Sequence, residues 1–196
     1  PNDTGLDPAV EAAFGDPIGS GYVEVTASSL DVNGVAQIGY SGDAYVSVTD
    51  GGTVDTSQTV LGVAPGSYGE ITVDGTDSQW SVSYSEEFDN ETGLYSGVMV
   101  VGGYGQGDLT VSNGGSVDVY DVVFVGGYPA EEIDYDANAV GYDPDGAGTV
   151  TVTGNGSLLE TDDLVVGHSG EGTLNVASGG DVINTESWLG VAPEGS

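Results

Sequence analysis

Apolar and polar residues alternate along this chain in short runs that recur. The runs are "YVEVT" (22–26), "YVSVT" (45–49), "EITVD" (70–74), "DLTVS" (108–112), "TVTVT" (149–153) and "TLNVA" (173–177). Alternation with period two is the signature of a strand with one buried face. The fourth position of each run is valine: Val25, Val48, Val73, Val111, Val152 and Val176. The second is Val23, Val46, Ile71, Leu109, Val150 or Leu174. Both columns are expected to point inward. A further inward residue is expected shortly after each run, at Leu30, Val54, Trp80, Val117, Leu158 and Val182. A third strand then closes on aliphatic-Gly: Ile38-Gly39, Leu61-Gly62, Val101-Gly102, Val125-Gly126, Val166-Gly167 and Leu189-Gly190.

Each unit thus holds three short strands separated by Gly, Asn, Asp and Ser turns, over about 24 residues, a period typical of solenoid repeats. One unit cannot bury its own apolar face, whereas stacked units share a continuous core. The expected fold is all-β: a parallel β-solenoid (β-helix) of about six three-stranded coils, spaced by about 4.8 Å. It occupies 21–196, with loop insertions at 83–97 and 127–146. The glycines fit corners that need positive φ. Gly105-Gln106-Gly107 sits between strands with no helix after it, so a dinucleotide or P-loop site is not indicated.

Residues 1–20 lack the repeat and are expected to cap the first coil or to link it to something else. Within them "DPAVEAAFG" suggests one helical turn, with Asp7 as N-cap, Pro8 in first position and Gly15 as stop. The C-terminal coil shows no such cap. "LGVAP" at 61–65 runs on into a strand, while its twin at 189–193 does not. That coil is expected to leave unpaired backbone groups for another chain, whose partner strand is "GYVEVT" (21–26, with Val23 and Val25) if 1–20 swings aside, or 1–20 itself if it completes a coil.

The stretch "GTVTVTGNGSLLETDDLVVGHSGEGTLNVASGGDV" (148–182) resembles the repeats of autotransporter passenger domains and related bacterial surface adhesins. The resemblance covers about residues 19–196 as a repeat-type match. It implies a right-handed parallel β-helix, secreted or displayed at the cell surface, acting in adhesion or as a stalk.

Charge narrows the functions. The chain has 32 acids, no Lys or Arg and a single His, for a formal net charge of −32. Ordinary usage would supply about 20 basic residues in this length. Nucleic-acid binding needs phosphate neutralisation by Lys or Arg, and anionic membranes repel such a surface. Neither partner is expected. There is no signal-peptide pattern and no apolar run of bilayer length, so a chain opening on Pro1 reads as a processed or trimmed product. Cysteine is absent, so there is no disulfide framework.

The insertions concentrate acids beside aromatic residues. Glu86, Glu87 and Asp89 lie in the first; Asp134, Asp136, Asp143 and Asp145 lie in the second. Carboxylates are hard-oxygen ligands for Ca2+, and calcium is the expected cofactor here, with a solvated acidic loop as the plain alternative. The residue before each aliphatic-Gly closure should point outward. It reads Gln37, Val60, Val100, Phe124, Val165 and Trp188. This column is expected to be an exposed apolar ridge used as an interface, or else a strip packed beneath a loop. The outward Ser47, Thr72, Thr110, Thr151 and Asn175 suggest an ice-ordering hydroxyl ladder, but the next outward column is irregular. An enzyme is not expected: β-helix lyases generally use Lys or Arg, and His168 in "GHSG" reads as a corner residue. The expected function is a non-enzymatic extracellular subunit that associates with itself into a filament or surface layer. The alternative is an adhesin-type module that binds glycans or a host surface.

Overall fold

The computed structural model describes residues 12–14, 19–84, 96–127 and 146–190, the first three by backbone alone. They form β1 (Ala12–Phe14), β2 (Ser20–Thr26), β3 (Ser29–Ile38), β4 (Asp43–Thr49) and β5 (Thr53–Leu61). Next come β6 (Tyr68–Asp74), β7 (Gln79–Val82), β8 (Val98–Val101), β9 (Gln106–Ser112) and β10 (Ser116–Val125). Last are β11 (Ala147–Thr153), β12 (Leu158–Val166), β13 (Glu171–Ala177), β14 (Asp181–Ile183) and β15 (Glu186–Leu189). Among the described residues there is no helix.

Strands alternate between two sheets as the chain advances. The valine-column strands make a six-stranded sheet in the order β2-β4-β6-β9-β11-β13. The others make a nine-stranded sheet in which β1, β3, β5, β10 and β12 neighbour one another directly or through β7 and β8, and β14 and β15 flank β12. All these pairings are parallel. Each sequence repeat therefore places one strand in the first sheet and its continuation in the second.

The core lies between the sheets. Val48, Val73, Val111 and Val152 are fully buried, as are Val54, Trp80, Val117 and Leu159 opposite them. Trp80 is the largest buried side chain. Its indole N–H donates to Thr59 Oγ1 at 3.1 Å, and that hydroxyl lies 3.0 Å from Thr56 Oγ1. The core's main polar group is thus satisfied internally, as burial requires. The first residue after each valine-column strand turns the corner at positive φ, including the non-glycines Ala27, Asp50, Asn113 and Ser178.

The repeat differs from its sequence pattern in three places. First, the second and third strands of a unit are one continuous strand in β3, β5, β10 and β12, so most units have two strands and not three. Register shifts between Val32 and Val35 and between Val119 and Val122 mark bulges that absorb the extra residues. β7 ends and β8 begins on either side of this same position. Ser83 N–H donates to Thr56 O at 2.8 Å and Gly97 N–H to Ser57 O at 2.7 Å, so the register resumes across it. Second, Val117 pairs with Leu159, so Leu159 is the inward residue and Leu158 faces out beside Ser116. Third, Ala12–Phe14 form no helical turn but pair in parallel with Ala36–Ile38. Pairing with an open backbone edge outweighs a weak local helical preference.

Candidate functional site

The most unusual surface is the end of the stack formed by β13, β14 and β15. Inward-facing residues here have no following repeat over them among the described residues. Val176, expected in the buried column, is 48% exposed, and Leu189 is 78% exposed. Leu174 and Val182 are only partly covered. The column direction is right and the burial is not, because β13 has a described neighbour, β11, on one side only. At the opposite end, Val25 is buried and Val23 partly so. A cleft there is lined by Val23, Glu24, Val25, Thr26, Ser28, Ser29 and Leu30, from the outer edges of β2 and β3.

The ridge expected from Val60, Val100, Phe124, Val165 and Trp188 is one column in register, starting at Gln37. It is not an open ridge. Val60 and Val100 are fully buried, Gln37 and Val165 nearly so, and Phe124 partly. Only Trp188, in the last repeat, is exposed, at 40%. Val60, Val98 and Val100 form a second apolar cluster, separate from the core, with Val35, Val63, Tyr104, Val122 and Phe124 packed against it. Val63 and Tyr104 come from the corners that follow β5 and β8 and help cover the strip. The Phe124 ring meets His168 edge-on at 5.5 Å, and His168 Nδ1 is buried without a partner among the described residues.

Carboxylates line the remaining faces. Asp31, Asp55, Asp118 and Glu160 share one exposed column interrupted by Ser81. With no Lys or Arg in the protein, neutral donors serve these acids. Ser112 Oγ and Asn113 Nδ2 each donate to Asp74 Oδ1 at 2.6 Å. The Tyr68 hydroxyl lies 2.7 Å from Asp108 Oδ2 and 2.9 Å from Glu70 Oε2. Burial first, then hydrogen bonding to Asp108 and Glu70, holds the Tyr68 phenol well above its ordinary range. An anion there would lose solvation and face two carboxylates.

The sequence-derived calcium ligands Glu86, Glu87, Asp89, Asp134, Asp136, Asp143 and Asp145 lie outside the described residues. Among the described residues no group of three or more acids and histidines is placed to hold a metal. One arrangement escaped the sequence reading. Tyr84 and Tyr120, both more than half exposed, stand with ring centroids 5.2 Å apart. They are 36 positions apart in sequence, so only the register of β7 against β10 brings them together. No protein family, characterised protein or solved structure matches this chain.

Proposed function

We propose that this chain is a right-handed β-solenoid subunit that associates with itself, end to end, into a filament or surface layer outside the cell. It acts as a structural protein with no catalytic role. The observation that carries this reading is the apolar face of Leu174, Val176, Val182 and Leu189, which no described strand covers. Two parallel sheets traversed alternately, with constant register, support a solenoid. The strong handedness preference of parallel crossovers supports the right-handed form. The repeat's resemblance to passenger domains supports an extracellular setting. Calcium bound by the acids of the two insertions would lower the repulsion that a charge of −32 imposes on assembly. Electron microscopy of the purified protein, with and without calcium, tests the reading: filaments support it, and monodisperse rods in both conditions refute it.

The exposed Tyr84–Tyr120 pair favours a second reading, an adhesin-type module that stacks sugars on aromatic faces. Under that reading, Tyr120→Ala abolishes binding to a glycan array while leaving the melting temperature near that of the parent.

A further inference from the structure

We propose that Asn155–Gly156 is a site of spontaneous covalent modification, and that the fold shields the same dipeptide at Asn113–Gly114. This inference goes beyond the self-association reading and does not depend on it.

An Asn followed by Gly is prone to cyclise, because glycine has no side chain to hinder the approach of its backbone nitrogen. The Gly nitrogen attacks the Asn Cγ. A C–N bond forms, the side-chain amide leaves as ammonia with the backbone proton, and a cyclic succinimide remains. Water then opens the ring. Cleavage at the Cγ carbonyl gives aspartate, and cleavage at the backbone carbonyl gives isoaspartate. Water is the one co-reactant. The reaction needs a backbone N–H that is free to lose its proton and a side chain that is free to turn toward it.

The two Asn-Gly pairs at corners of the stack differ in both respects. Asn113–Gly114 follows β9, with Asn113 at positive φ. The Gly114 N–H donates to Ser157 Oγ at 3.1 Å. Ser157 is fully buried, and its hydroxyl donates in turn to Thr153 O at 2.7 Å. The Asn113 side-chain amide donates from Nδ2 to Asp74 Oδ1 at 2.6 Å. The attacking nitrogen is thus held by the following repeat, and the leaving group by the preceding one.

Asn155–Gly156 forms the tip of the turn between β11 and β12. Ser157 N–H donates to Gly154 O at 3.2 Å and Gly156 sits at φ +80°, the pattern of a type II turn. Both residues are exposed. Among the described residues neither the Gly156 N–H nor the Asn155 side chain has a hydrogen-bond partner. The next corner meets Asn155 Oδ1 with Gly179, which has no side chain to hold it. The third Asn-Gly of the sequence, Asn33–Gly34, lies inside β3 at its bulge and not at a corner.

The test incubates the full chain at mildly alkaline pH, folded in one arm and unfolded in urea in the other. Conversion at each site is read from the mass gained when an amide becomes an acid. The chain has no Lys or Arg, so a protease that cuts after Tyr and Leu is used to separate the two sites. In the folded protein Asn155 is expected to convert several times faster than Asn113. In the unfolded chain the two rates should be comparable, since a small residue, Ser157 or Gly115, follows each pair. Ser157→Ala, checked for the parent's circular dichroism, should raise the Asn113 rate several-fold and bring it toward that of the unfolded chain. Equal rates in the folded parent, faster conversion at Asn113, or an Asn155 that stays intact while the unfolded chain converts would overturn the proposal. An unchanged Asn113 rate in folded Ser157→Ala would overturn the shielding by Ser157. The comparison within the parent decides the site whether or not that variant folds.

Discussion

Val111 and Val176 occupy the same column of the same sheet, preceded and followed by similar residues, yet one is fully buried and the other is 48% exposed. The direction of a side chain is a local matter, fixed by strand alternation. Its burial is not local: it depends on what covers the strand from either side. The middle repeats are each covered twice, and the last repeat once. The strands β13, β14 and β15 therefore carry apolar residues whose burial needs a further layer over them.

The largest effect should separate the two valines outright. Val111→Asp buries a carboxylate with no Lys or Arg in the protein to pair with it. The expected cost exceeds about 4 kcal/mol, enough to unfold a domain of ordinary stability. Val176→Asp leaves its charge in water and should leave the isolated chain folded, as read by circular dichroism and thermal melting. A folded, soluble Val111→Asp variant would contradict the assigned core. A smaller contrast follows from truncation. Val111→Ala should cost about 2 kcal/mol through lost burial and a residual cavity, and Val176→Ala less than about 0.5 kcal/mol, both measured by denaturant titration of the monomer.

The smallest predicted effect is electrostatic. The Tyr68 phenol holds its proton more tightly in the folded state than in the unfolded chain. Its contribution to stability is fully present below the ordinary phenol range of about 10. Above that, the unfolded chain releases a proton that the folded one keeps, so stability falls as pH rises. Tyr68→Phe should flatten the alkaline limb of the melting curve. An identical alkaline limb in parent and variant would remove the phenol–carboxylate cluster from this account.

What could be read from the sequence follows the same division between local and non-local. The valine columns and the placement of the corner glycines were legible, because alternation and positive-φ turns are written within a few residues. The choice between Leu158 and Leu159 was not, since two adjacent leucines satisfy either register and only pairing with Val117 decides. The merging of two strands into one was hidden because the bulges fall at "NG" (33–34) and "YD" (120–121), which read as turns. The burial of Val60 and Val100 was also hidden, because Val63 and Tyr104 reach the strip from corners rather than from the strand itself. Ala12–Phe14 prefer a strand only in the presence of the β3 edge. The exposure of Val176 was hidden as well, because the motif of its strand reads like those of the five strands whose valines are buried.

The central proposal is that the exposed face of β13, β14 and β15 is an interface between copies. Sedimentation velocity across a salt series tests it most directly, comparing the parent with Val176→Asp. Two subunits that each carry −32 repel, and salt shortens that repulsion to about 8 Å near physiological strength. Burial of an apolar end face does not weaken with salt. The parent should therefore shift to larger species as salt rises, while Val176→Asp, folded to the same extent, stays monomeric throughout. A parent that sediments as a monomer at every salt concentration, or a variant that assembles as readily as the parent, would contradict the account.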